Sequence, residues 1–284
     1  MTRLFSAAAL GALAIASLTA PAGAATVDLN TWTAESYTSV AGFLDGVWTP
    51  APDGSSVYQS ENGQPTVFFS DFTAYGTKVS GKITVENGAG DDDFIGFVIG
   101  FDAGDSTSAS ADYLLVDWKR AGQGFNFGAP SSTPGGNAPA GLAVSRVTGV
   151  PTADEFWQHA DYSAASGGGA GAVEELQRGA TLGSTGWNFA TAYEFSFDFG
   201  PGNLVVSVDG SEEINIAGSF ANGRLGFYNF SQQNVRYSAF TVDPGSFPPP
   251  GNAVPEPATW AMMIGGLGLV GARMRRRTVR VAMA

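Results

Sequence analysis

The sequence predicts an all-β sandwich, and three observations carry that expectation. Between Thr26 and Asp243, short β-branched or aromatic runs recur, bounded by glycine and aspartate. Tyr193–Phe199 alternates ring and polar residue without a break, as a strand does with one face on a core and the other in water. Helical patterning is almost absent, so strands must pack on strands.

The elements follow in chain order. Thr66–Ser70, Lys78–Val85, Phe94–Phe101 and Tyr113–Trp118 read as strands, as do Leu142–Val147, Tyr193–Phe199, Arg224–Phe230 and Tyr237–Val242. Leu204–Val208, followed by Asp209-Gly210, signals a hairpin whose returning arm is Ile214–Ile216. One helical turn is expected near Asp154 to His159, with Asp154 as its cap. Gly128–Ala140 and Ser163–Ala172 are rich in Gly, Pro, Ser and Ala, so they read as surface loops that cannot pack a core. Asn222-Gly223 is expected to make a tight turn, with Arg224 hydrogen-bonding as it enters the next strand.

The two ends carry addresses. Met1-Thr2-Arg3 gives a positive start and Leu4–Leu18 an apolar stretch. Ala22-Gly23-Ala24 offers the small-x-small pattern of a signal-peptidase site, so residues 1–24 read as a signal peptide. At the other end, 244–253 is a Pro/Gly linker. Val254-Pro255-Glu256-Pro257 is held extended by its prolines. The run from Trp260 to Ala272 spans roughly 20 Å as a helix, short against a bilayer core of about 30 Å. Arg273, Arg275, Arg276 and Arg277 would hold the final residues, 278–284 included, on the cytoplasmic side. This tripartite tail over 254–277 resembles the PEP-CTERM sorting signal of Gram-negative bacteria. The resemblance implies transient insertion in the inner membrane, cleavage near Pro255-Glu256-Pro257 by an exosortase, and delivery to the cell surface, outer membrane or extracellular matrix.

Charge narrows the partners. Arg3 and the five tail arginines lie outside residues 25–260, leaving 8 basic residues against 26 acidic ones, a net charge of about −18. Such a surface repels nucleic acid and anionic lipid and attracts cations. There is no cysteine, so stability must come from an ordinary core, which residues 25–243 are long enough to build as one domain.

Several blocks then occur in one order. They are Asp91-Asp92-Asp93 before Phe94–Phe101, Tyr113–Lys119, Phe156-Trp157 with His159, Gly186-Trp187 with Tyr193, and Gly223–Gln232. This series resembles the C-terminal lectin-like domain of thrombospondins. The resemblance implies a concanavalin-like jelly roll, calcium binding, and a role in adhesion or matrix contact. The chain departs from that family in the Gln158 inserted between Trp157 and His159, in the missing late cysteine, and in lacking the preceding calcium-binding repeats.

Asp91, Asp92 and Asp93 are the candidate metal ligands. Adjacent carboxylates repel one another, and calcium relieves this by taking six to eight oxygens. If the triplet is extended, Asp91 and Asp93 share a face while Asp92 turns away. Asp102, with Asp105 and Asp112, could add oxygens from the following turn. The plainer alternative is a solvated turn before a strand.

His159 is the only histidine, which excludes a two-imidazole metal site and favours a packed structural role. Trp118, Trp157 and Trp187 read as core residues, and Trp32 and Trp48 as packing residues with the option of stacking on sugar.

No catalytic residue is expected. The function expected is a calcium-binding, exported module that contacts exopolysaccharide, matrix or another cell. A jelly-roll glycoside hydrolase and a structural matrix component without a ligand are the alternatives. Glu194 and Asp198 share one strand but lack the carboxylate spacing of a hydrolase.

Overall fold

The computed structural model describes residues 24–88, 90–128, 135–164 and 170–244. Ala22 and the whole C-terminal address, including Val254–Pro257 and the arginine cluster, lie outside the described residues; Ala24 is exposed at their start. The chain begins with β1 (Ala25–Thr26), β2 (Thr33–Ser36), β3 (Trp48–Pro50) and β4 (Ser56–Gln59). Next come β5 (Thr66–Thr73), β6 (Thr77–Val85), β7 (Phe94–Phe101), β8 (Asp112–Lys119), β9 (Gln123–Phe125), β10 (Gly136–Ala138) and β11 (Gly141–Thr148). The helix α1 (Ala153–Gln158) precedes β12 (Ala172–Arg178), β13 (Ala192–Gly200), β14 (Asn203–Val208), β15 (Ser211–Ala217), β16 (Arg224–Phe230) and β17 (Val235–Pro244).

The expected sandwich is present as two antiparallel sheets in a concanavalin-like jelly roll. One runs β15-β14-β13-β6-β17-β4-β3, with β1 sharing the β17 edge; the other runs β12-β11-β8-β7-β16-β5-β2. Between them lies a core built on Phe68, Phe97, Trp118, Trp187, Phe195, Phe197, Phe227 and Tyr237. The Phe227 and Tyr237 rings stack at 4.3 Å across the sheets. Trp32 and Trp48 belong to this packing, Trp32 on Phe227 at 4.7 Å and Trp48 on Phe68 at 5.4 Å.

The second sheet is covered on both faces. Ile95, Phe97 and Ile99 of β7 point into the main core, while Phe94 and Val98 enter a second cluster with Tyr37, Val40, Tyr113, Leu115, Phe156, Trp157, Tyr228 and Phe230. This explains the near-continuous apolar run Phe94–Phe101 beside the strict alternation of β13, whose outer face meets water. The cover is made by the segment after β2, by α1, and by the small β9–β10 ribbon.

Several local expectations need correction. The helix is capped by Thr152, not Asp154: Thr152 accepts from the Glu155 backbone N–H, and the Glu155 side chain accepts from the Thr152 N–H. This reciprocal pair closes the first turn. Within Gly128–Ala140, Gly136–Ala138 forms a strand and Ala138 is fully buried. A Cβ on Gly136 would meet the Gln158 side-chain amide at 1.5 Å, so that amide packs directly on the glycine backbone. Asn222-Gly223 is not a turn; Gly223 faces the Gly100 backbone, where a Cβ would meet its carbonyl carbon at 2.3 Å. The predicted hairpin does hold, with Asp209 and Gly210 both at positive φ, 49° and 79°.

Candidate functional site

Register brings the candidate residues to one end of the second sheet. Phe94 pairs with Lys119 of β8 and with Phe230 of β16, so the start of β7 meets the ends of both neighbours. Asp91, Asp92 and Asp93 stand just before β7, and each offers an oxygen within 4.8 Å of the others. They precede the strand, so strand alternation does not turn Asp92 away.

The backbone here is fixed from several directions. The Asp93 N–H donates to Gln232 Oε1 at 3.0 Å, and the Asp93 carbonyl accepts from Trp187 Nε1 at 3.1 Å. The Asp92 carbonyl accepts from the Arg120 N–H at 3.1 Å. Gln232, of the Phe-Ser-Gln block, thus acts as a clamp on the triplet and is itself fully buried.

Lys119 is the residue that reshapes the metal expectation. Fully buried, it donates to Asp93 Oδ1, to the Asp92 carbonyl at 3.4 Å and to Gln123 Oε1 at 3.2 Å. Its ammonium also lies 3.7 Å from Asp92 Oδ1 and 4.3 Å from the centre of the Trp157 ring. Burial pushes the Asp93 carboxyl up to about 7; Lys119 opposes the shift and Asp91 adds to it. Asp91 has neutral partners instead, accepting from Asn62 Nδ2 at 2.5 Å and from the Asp92 N–H at 2.9 Å.

Beside the triplet is a cavity of about 190 Å³. Phe43, Phe125, Phe127 and Trp157 wall it, while Asn62, Asp91, Asp93, Gln123 and Ser231 supply polar groups. Phe127 touches Phe125, Trp157 and Phe43 at ring separations of 4.7, 5.3 and 6.2 Å. Phe125 remains 44 % exposed, so the wall continues onto the surface. Sequence reasoning missed Asn62, Gln123 and the three phenylalanines because they sit in irregular segments or a short strand without periodicity.

The remaining candidates lie elsewhere. Asp102 is not brought to the triplet: the eight residues of β7 separate them by roughly 26 Å at about 3.3 Å per residue. Its N–H donates to Asp105 Oδ2 at 2.8 Å, and Asp112 is held by Arg146 in a two-pronged pair of 2.7 and 2.6 Å. For calcium, the triplet has the right donors in kind, but Lys119 withdraws Asp93. Asp91 and Asn62 line the cavity, the Asn62 amide oxygen accepting from Ser231 at 3.2 Å, while Asp92 stays within ligand reach of Asp91 outside that lining.

His159 caps α1 in the left-handed region, and its side chain is buried. Its Nε2 lies 3.0 Å from Asp117 Oδ2 and its Nδ1 lies 3.1 Å from Glu175 Oε2. Arg178 closes the chain on Glu175 at 2.7 Å. Arg224 places its guanidinium 5.7 Å from the Phe69 ring centre, and the hydrogen-bonding role expected of its side chain is not seen among the described residues.

Residues 44–244 match the thrombospondin C-terminal region. The chain belongs to this family. Thrombospondin-1 of Xenopus laevis is 27% identical over 205 residues, covering 69% of this chain but 16% of the relative. The chain therefore spans less than a fifth of that protein. Residues 253–277 match the PEP-CTERM protein-sorting motif, which marks an exported, surface-associated protein. Among solved structures, the carbohydrate-binding module CBM66 from Bacillus subtilis aligns at 12% identity and a TM-score of 0.45, over 75% of this chain and 95% of that one. The Ca2+/Man-bound exoplasmic/lumenal domain of VIP36 aligns at 11% identity and a TM-score of 0.45, over 78% and 86%. The thrombospondin C-terminal blocks converge in space, since Asp93, Lys119, Trp157, Trp187 and Gln232 all meet at the triplet.

Proposed function

We propose that this protein is a non-catalytic binding module, processed by an exosortase and displayed outside the cell, that attaches to exopolysaccharide or matrix glycan. The cavity between the triplet and the phenylalanine wall carries this reading. Aromatic faces accept the apolar C–H face of a sugar ring, while carboxylate, amide and hydroxyl groups fix its substituents. Its volume is below the roughly 300 to 1,000 Å³ of a drug-sized ligand site, which suits one ring of a longer chain. Calcium would be held by Asp91 and Asp92 with Asn62, and would brace the loops that form the cavity. A glycan array with and without calcium tests the reading. Binding is expected, and lack of binding to every glycan would favour a purely structural matrix role.

One observation favours a hydrolytic alternative. Asp93, raised to about 7, stands beside Asp91 in an aromatic cavity, and acid–base pairs are built by such divergence. Lys119 holds Asp93, which suits a structural ion pair better than a proton donor. Glu194 and Asp198 are about 13 Å apart along β13, outside the roughly 5 to 9.5 Å of a glycosidase pair. Release of reducing sugar from a polysaccharide panel, lost in Asp93→Asn, would establish the enzyme instead.

A further inference from the structure

The proposed glycan site has a charge character that narrows its ligand. The triplet and Lys119 together carry a formal net charge of −2, and Lys119 is committed to Asp93, to the Asp92 carbonyl and to Gln123. Asp91 lines the cavity with only an amide and a backbone N–H as partners, so its charge has no cation of its own among the described contacts. A carboxylate has about four acceptor positions, and two are used here. The same cavity is lined by Phe125 and Phe127, and aromatic rings attract cations as well as C–H groups.

We infer that this cavity takes one amino-sugar residue bearing a free ammonium group, its ring against the Phe125–Phe127 wall and its nitrogen at Asp91. A bare metal ion at Asp91 would leave the aromatic wall without a role in recognition. A neutral sugar would leave the Asp91 charge partly desolvated and unmatched, and a uronic acid would be repelled by it. The large acidic excess of the chain extends the same preference along a cationic polymer. The favoured class is thus a de-N-acetylated hexosamine polysaccharide.

The inference rests on the glycan-binding reading, and the test separates the two. Calorimetry on the full chain in chelator, since calcium and an ammonium would compete for Asp91, would compare a glucosamine tetrasaccharide, its fully N-acetylated counterpart, a tetra-uronate and tetralysine. The free-amine sugar should bind about tenfold tighter than the N-acetylated one, since a charge-assisted contact exceeds a neutral one by roughly that factor. Asp91→Asn should abolish the difference, while Glu194→Gln, an exposed carboxylate on the other sheet, should not. Equal affinity of the wild-type chain for both hexosamine forms overturns the inference and leaves glycan binding standing. No affinity for any saccharide overturns both. Tighter binding of tetralysine than of the free-amine sugar overturns the choice of a sugar ligand.

Discussion

The Lys119 ammonium lies 4.3 Å from the centre of the Trp157 ring, sealed from solvent at the junction of β8, α1 and the acidic triplet. A lysine there is the internal counter-ion of Asp93. Removing one partner of a buried ion pair leaves the other unpaired, at a cost of about 3–5 kcal/mol. Lys119→Met should therefore lower stability by that order in urea unfolding. Adding Asp93→Asn should recover part of the loss, and a double variant no better than the single one would refute the pairing.

The network of Asp117, His159, Glu175 and Arg178 makes stability depend on pH. Burial opposes the imidazolium, yet Asp117 and Glu175 outweigh it and raise His159 to about 9 from 6.5. A folded value above the unfolded one gives stability that is full below about 6.5 and lost as pH climbs through about 9, at most about 3 kcal/mol. Glu175, lowered to about 2 chiefly by His159, contributes above its ordinary 4.5 and fades as pH falls toward 2. The urea midpoint of the wild type should drop between pH 6 and pH 9.5 (both approximate) more than that of His159→Gln. Parallel curves would remove the histidine from the account.

Gly96 of β7 pairs with Asp117 of β8. A Cβ there would meet the Val116 carbonyl oxygen at 2.1 Å, and backbone cannot swing aside as a side chain can. Gly96→Ala should cost about 1–3 kcal/mol, the range for overpacking. A melting temperature within error of wild type would show that the strands can part.

Calcium removal should be felt locally. If an ion braces Asp91 and Asp92, chelator should lower the melting temperature by about 2–4 °C for each kcal/mol of linkage. Asp91→Asn should abolish the response. An unchanged wild-type transition would take calcium out of the account.

Much of this was legible in the chain. Each strand expected from Thr66 onward exists, because two-fold alternation reports a strand with one wet face, as in β13, and a short apolar run bounded by turn residues reports one covered on both, as in β7. The short β1 to β4, β9 and β10, and the polar β12, were not legible, since two to four residues or a charged run such as Glu174-Glu175 carry no period. The Thr152–Glu155 capping box was present in the sequence as Thr-x-x-Glu, and Asp154 drew attention from it. At the site, the triplet was visible as a cluster of like charge, whereas its neutraliser Lys119 stands 26 positions later and meets it only through the β7–β8 register. The distant Asp102 was grouped with the triplet by sequence proximity that an intervening strand cancels.

The central claim is that the cavity walled by Phe43, Phe125, Phe127 and Trp157 binds glycan. The most direct measurement is a glycan array probed with the wild-type full chain and with Phe125→Ala/Phe127→Ala, whose sites lie at the rim of the cavity. The account predicts wild-type binding to a defined set of glycans and its loss in the folded double variant. Equal binding by both proteins, or no binding by either, would contradict it.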